Sequence, residues 1–286
     1  MYSEKIIEKL KDKNIAILGF GREGKSTYNF IRKHLKDMHL TILDKNTIEI
    51  DDQNITLVTG ENYLDNLDQY DLIIKSPGIS LKDIDYSKFI DKITSQLELL
   101  LEVDRENIIG ITGTKGKSTT TSLMYEILKR QKDEVYLLGN IGIPVLDSIE
   151  DYTPNSTLVI EMSSHQLEFV KHSPHIAVIL NLFQDHLDHA GSLEHYHNNK
   201  MNIFKYQTED DYAIYSDDNE YLNKKMQEFD IKSTKYNVRF DNENVFGNAV
   251  RTNGKDVFIN NELVYKDAER KLIGDHNLKN IMFVLT

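Results

Sequence analysis

The sequence predicts an α/β protein built from two successive units, each with a mostly parallel sheet. Three observations carry the prediction. Short β-branched runs alternate with helical patterns through most of the chain, the rhythm of strands joined by crossover helices. A glycine-spaced turn, GFGREG (19–24), follows the first such run. A second glycine-rich stretch, GITGTKGKST (110–119), follows the apolar pair Ile108-Ile109 and opens a second series.

Taken in order, NIAILGF (14–20), HLTILD (39–44), ITLVTG (55–60) and DLIIKSPG (71–78) read as buried strands, with a helix between Glu23 and Leu35. The apolar spacing of TSQLELLLEVDR (94–105) predicts a helix leading into the second series. There NIIGIT, EVYLLG, STLVIEM and HIAVILN are the strands, and 118–130 and 192–206 are the helices. The charged segment from Glu102 to Asn107 marks the boundary, giving a Rossmann-like domain over 1–103 and a phosphate-loop α/β domain over 104–286. Beyond Asp210 the pattern loosens into short strands, with Asn253-Gly254 marking a turn.

Composition narrows the function classes. The chain has 286 residues, 40% of them hydrophobic, and no cysteine, which removes disulfides, thiolate zinc sites and cysteine nucleophiles together. A net charge of -12 argues against a general nucleic-acid binder, because displacing counterions from a phosphate backbone needs a basic footprint. No window is apolar enough for a membrane span and MYSEKIIEKL lacks a signal-peptide core, so a cytoplasmic protein without membrane contact is expected. Any phosphate it binds should belong to a small molecule.

Three glycines after a strand let several N–H groups turn inward at the start of a helix, a nest for phosphate oxygens. In 110–119, Lys117 would reach the outer phosphates and the Ser118 or Thr119 hydroxyl would face Mg2+. The glycines at 110, 113 and 116 depart from the strict G-x-x-x-x-G-K-[ST] spacing, and the rival reading is a plain glycine-rich turn. GFGREG with Asp44 ending the next strand fits a dinucleotide fingerprint, and alone it suits an NAD enzyme or a structural turn equally. A phosphate loop in the second unit and the lack of a dehydrogenase constellation weigh against NAD.

Glu161, closing STLVIE, should sit at the ligand edge of a central strand, where a carboxylate can hold magnesium. The polar neighbours Ser163, Ser164 and Gln166 favour this over a simple strand end. DHLDHAGSLEHYH (185–197) is crowded with imidazoles, but its spacing does not match a zinc helix. His189, His195 and His197 read as solvated surface residues. Lys200 lies within the helix over 192–206, where a lone lysine usually faces solvent.

TGTKGKST resembles the ATP loop of the Mur ligase family, amide-forming enzymes of peptidoglycan synthesis. GNIGIP (139–144), IEMSSHQLE (160–168), NLFQDHLDH (181–189), EHYHNNKMNIF (194–204) and GDHNLKN (274–280) match the motifs of that family's central domain in order. GFGREG and SPGI (76–79) look like its uridine-nucleotide domain. The combination of SPGI, GNIGIP and Ser-Ser-x-Gln-Leu-Glu is most similar to the D-glutamate-adding branch, although position 165 is His where that branch has Phe.

The resemblance implies ATP and Mg2+ as cofactors, UDP-N-acetylmuramoyl-L-alanine and D-glutamate as substrates, and a monomer. It implies that Arg22, Glu23, Asp44, Lys45 and Ser76 line the uridine pocket. Gly113, Thr114, Lys115, Gly116, Lys117, Ser118 and Thr119 would cradle phosphates, and Asn277 and Asn280 would meet adenine. Ser118, Glu161, His186 and a carbamylated Lys200 would serve magnesium, while Lys117 stabilises charge and Asn140 with His186 orients the substrate. Three rivals remain: a non-catalytic nucleotide-binding module, which would not need the later motifs, a Mur-type ligase using a different acceptor amino acid, and folylpolyglutamate synthase, which would lack the GFGREG domain. The chain stops at NIMFVLT within an expected helix. The family continues into a third domain, so a fragment inactive by itself is expected.

Overall fold

The computed structural model describes residues 2–183, 192–240, 248–266 and 270–286. After helix α1 (Tyr2–Leu10), the first unit runs β1 (Ile15–Leu18), α2 (Arg22–His34), β2 (Leu40–Asp44), β3 (Ile55–Thr59), β4 (Leu72–Lys75) and β5 (Ile93–Thr94). All five strands are parallel, in the order β3-β2-β1-β4-β5. Every residue of β1, β2 and β4 is buried, which explains why they are mostly apolar, with Thr41 the one polar residue short of a strand end and Asp44 and Lys75 at the C-terminal ends: a parallel strand covered on both faces has no polar side to alternate with.

Helix α3 (Gln96–Asp104) connects the units. Ser95 caps it by accepting from Glu98 N, and its four leucines, at 97, 99, 100 and 101, are all buried. Helix α1 packs against it. The second unit comprises β6 (Ile108–Thr112), α4 (Lys117–Leu128), β7 (Val135–Gly139), β8 (Thr157–Glu161), β9 (Ile176–Ile179), α5 (Leu193–Lys205), β10 (Tyr212–Ser216), α6 (Glu220–Glu228), β11 (Thr234–Val238), β12 (Ala249–Thr252), β13 (Val257–Ile259), β14 (Glu262–Tyr265) and α7 (Asp275–Leu285).

Its nine strands lie in the order β14-β13-β12-β11-β10-β9-β6-β8-β7. The sheet is parallel from β7 to β12 and antiparallel from β12 to β14, so it is mixed. The Asn253-Gly254 turn, with Gly254 at φ +91, makes the reversal: residues 253–256 are too few for a parallel crossover.

One apolar cluster joins the two units, packing Ile6, Ile15 and Leu40 together with Leu138, Val145, Leu158 and Ile160. Within the larger sheet, β6 lies between β8 and β9, and the chain winds away from it in both directions. The crevice at its C-terminal end is therefore a topological switch point, the place where open α/β sheets take ligands. No helix among the described residues is long and apolar enough to cross a membrane.

Candidate functional site

The loop leaving β6 enters that crevice. Gly113 (φ +154) lies so close to β9 that a Cβ there would come within 3.0 Å of Leu180 Cβ. Gly116 (φ +86) is the N-cap of α4, and a Cβ on it would lie 3.0 Å from Asn280 Oδ1. Both glycines are thus required by backbone conformation and by close approach. Lys117 Nζ donates to Gly113 O (3.0 Å) and Thr114 O (3.2 Å), and the Thr114 and Lys115 N–H groups donate to Asn181 Oδ1 at 3.1 and 2.9 Å. Ser118 and Thr119 are exposed on the first turn of α4. Its leading N–H groups have no carbonyl a turn earlier, and Thr120 N is the one that reaches Gly116 O, at 3.0 Å.

Glu161 ends β8, paired in register with Ile111, and is 1% exposed. Asn140 Nδ2 donates to its Oε1 at 2.7 Å, while Oε2 is buried with no hydrogen-bond partner among the described residues. A buried carboxylate oxygen left open is costly unless a cation or donor meets it. With the Ser118 hydroxyl it supplies the hard oxygen donors that magnesium prefers, so these residues fit that ion.

Lys200 is not a surface lysine. It is 1% exposed, with Nζ 3.5 Å from Thr112 Oγ1 at the end of β6 and 4.8 Å from the centre of the Tyr196 ring. His197, expected in solvent, is 3% exposed: Nε2 lies 3.3 Å from Phe183 O, and burial pushes its pKa down. The helical repeat turns His197 and Lys200 onto the face that packs on the sheet, and His195 onto a half-exposed one. His186 and His189 lie outside the described residues.

A cleft of about 560 Å³ opens at the C-terminal edge of the smaller sheet, and Arg22, Glu23, Asp44, Lys45 and Ser76 all line it. Asn140 and Gln166 of the second unit close its far wall. Arg22 Nη2 donates to Gly139 O (3.0 Å) and Gln166 Nε2 to Glu23 Oε1 (2.9 Å), so the start of α2 is tied across the cleft. Burial raises the Glu23 pKa, with Gln166, Arg22 and Lys75 opposing. Asp44 accepts from Phe20 N (2.7 Å) through Oδ2 and from Asn46 N (2.8 Å) through Oδ1; Lys45 stays exposed, 3.5 Å from Glu61.

Sequence reasoning placed Gln166 near the metal position, whereas its side chain reaches Glu23 and its Oε1 accepts from Ser163 N at 3.0 Å. Asn181, Asn46 and Tyr63 were not singled out. Asn181 opens the NLFQDHLDH stretch, yet nothing local ties it to the loop, since only the order of strands brings β9 beside β6. Asn277 lies in the first turn of α7 and Asn280 in the second. Asn280 stands over Gly116, while Asn277 Nδ2 donates to Ile273 O at 2.9 Å.

A glycine loop and helix N-terminus at a switch point, in a chain whose smaller sheet carries a separate cleft at its C-terminal edge, define an α/β protein of the phosphate-loop type. Residues 111–286 match the Mur ligase middle domain and residues 13–95 the Mur ligase MurD-like N-terminal domain. The chain belongs to the Mur ligase family.

The UDP-N-acetylmuramoylalanine–D-glutamate ligase of Clostridium kluyveri is 34% identical over 284 residues, covering 96% of this chain and 61% of the relative. The enzyme of the same name from Ligilactobacillus salivarius is 32% identical over 291 residues, with 97% and 62% covered. The chain thus spans about three fifths of the length of these curated relatives. Among solved structures, the UDP-N-acetylmuramate:L-alanyl-gamma-D-glutamyl-meso-diaminopimelate ligase from Neisseria meningitides superposes with a TM-score of 0.56 at 19% identity, covering 95% of this chain and 91% of that one. That likeness concerns the fold.

Proposed function

We propose that this chain carries the nucleotide-binding part of an ATP-dependent ligase that joins D-glutamate to UDP-N-acetylmuramoyl-L-alanine. Residues 1–103 take the uridine nucleotide and residues 104–286 take ATP. The observation that carries the reading is Asn140, which lines the cleft and also holds Glu161 at the strand edge beside the phosphate loop. A substrate lying in the cleft can therefore present its far end to a nucleotide on the loop. The names of the relatives supply the substrate class.

In this reading the terminal carboxylate of the UDP-linked substrate attacks the γ-phosphate of ATP, giving an acyl phosphate and ADP. The amine of D-glutamate then displaces phosphate and leaves an amide. Both steps gather negative charge at one place, which Lys117 and the α4 N-terminus offset once Lys117 swings from the loop carbonyls to the phosphates. Glu161 and Ser118 would hold Mg2+, which neutralises charge on the phosphate oxygens. His186 and Asn140 orient the substrate, and Asn277 and Asn280 flank adenine.

Lys200 is proposed to react with carbon dioxide. Its buried place beside Thr112 suits an anionic carbamate near the metal better than a second cation. The proposal places the protein in the cytoplasm as a monomer. Calorimetry on the chain, titrating ATP with Mg2+ and then UDP-N-acetylmuramoyl-L-alanine, tests the two sites, and phosphate release on adding D-glutamate tests the chemistry. Binding of neither ligand would refute the reading.

A further inference from the structure

One side chain outside the glycine loop takes up the donors at its front. Asn181 follows β9, the strand beside β6. Its Oδ1 accepts from Thr114 N at 3.1 Å and from Lys115 N at 2.9 Å, and its Nδ2 donates to Lys115 O at 3.0 Å. Its backbone oxygen also accepts from Thr114 N at 3.0 Å. Thr114 is fastened further, its Oγ1 accepting from Phe183 N at 2.9 Å. The close seating of Gly113 on Leu180 lets the loop lie against β9 in this way.

Two successive N–H groups converging on one oxygen are the arrangement with which a turn holds an anion. Here that oxygen is a neutral amide belonging to the protein. We infer that Asn181 is a positioning residue that fills the front anion seat of the loop, so that phosphates are confined to the rear seat formed by Lys117, Ser118 and Thr119. Asn alone among side chains of this length offers the acceptor for Thr114 and Lys115 and the donor for Lys115 O. The inference rests on the ATP-binding reading and revises it: Thr114 and Lys115 shape the loop, and their N–H groups are not phosphate donors.

The rival arrangement is a plug that phosphate displaces, and the two differ in sign. Amide hydrogen exchange and calorimetry on the whole chain separate them, using Asn181→Ala and the isosteric Asn181→Asp. Removing the clamp should expose the Thr114 and Lys115 amides to exchange and weaken MgATP binding by about tenfold or more, leaving uridine-ligand affinity unchanged. Asn181→Asp should keep both amides protected, because the acceptor remains, yet still lose about tenfold in MgATP affinity, because it loses the donor and sets a negative charge beside the phosphates. Asn181→Asp also carries the test if Asn181→Ala fails to fold. MgATP affinity unchanged or tighter in either variant, or unprotected Thr114 and Lys115 amides in the parent chain, overturns the inference. Absence of MgATP binding by the parent chain would instead sink the proposed function, while the exchange result still judges the clamp.

Discussion

Lys75 and Glu168 face each other across the junction of the two units, and breaking this pair should both destabilise the protein and loosen the cleft. Lys75 is 4% exposed, with Nζ 3.5 Å from Glu168 Oε2, and the other oxygen of Glu168 lies 3.2 Å from His195 Nε2. At an effective dielectric near 20 the attraction is about 5 kcal/mol, most of it offset by desolvation. Burial holds the Lys75 pKa below the ordinary lysine range, with Glu168 and then Glu23 opposing the shift.

Lys75→Met should cost about 2–3 kcal/mol by leaving Glu168 with His195 as its remaining partner, and Glu168→Gln about 2 kcal/mol. The double variant should cost less than the sum by about 2 kcal/mol in urea denaturation. Because the folded-state pKa of Lys75 is lowered, the unfolded chain binds more protons between that value and about 10.4, and stability gains with pH there. Lys75→Met should lack this alkaline gain. Ser76 and Gln166 line the cleft beside the pair, so either single variant should also weaken uridine-ligand binding. Additive costs, within about 0.5 kcal/mol, would show that the pair does not act as a unit and refute the reasoning.

Lys117→Ala should leave the melting temperature within about 2 °C of the parent, since Nζ touches only loop carbonyls, and should lower MgATP affinity at least about tenfold; unchanged affinity in calorimetry would remove the loop from the nucleotide site. Lys200 should give a carbamate carbon signal under 13C-bicarbonate that vanishes in Lys200→Arg; a parent spectrum without it refutes the carbamate. Arg32, with Tyr28 assisting, holds the Asp52 pKa at about 2. Asp52→Asn should therefore cost about 1 kcal/mol at pH 7, after allowance for solvent screening, and the cost should shrink as pH falls from about 4 toward 2, because the stabilisation of a depressed carboxylate is present above its unfolded pKa and lost through its folded one. A pH-independent cost in denaturant melts would disprove that assignment.

The strands were legible because β1, β2, β4, β6 and β8 are covered on both faces and buried throughout, so apolar residues dominate them and, Thr41 aside, their polar residues stand at the strand ends. The loop was legible because its glycines and lysines are contiguous. The antiparallel end of the larger sheet was visible only as a turn, since Asn253-Gly254 reverses the chain without saying which strand it will pair with. Lys200 and His197 show the second limit. Both sit in a helix whose sequence, LEHYHNNKMNIFK, is polar enough to resemble a surface helix, yet the face bearing Tyr196, His197, Lys200 and Met201 is buried. The hydrogen-bond partners of polar atoms on that face include groups far away in sequence, here Thr112 for Lys200 and the Phe183 carbonyl for His197, which a local pattern cannot display. The same holds for Asn181, whose two loop partners are more than sixty residues away. Residues proposed to touch phosphate can be read from a contiguous motif because such a ligand would impose their spacing. Those that hold the motif in shape are set by strand order, so they emerge only when β9 is laid beside β6.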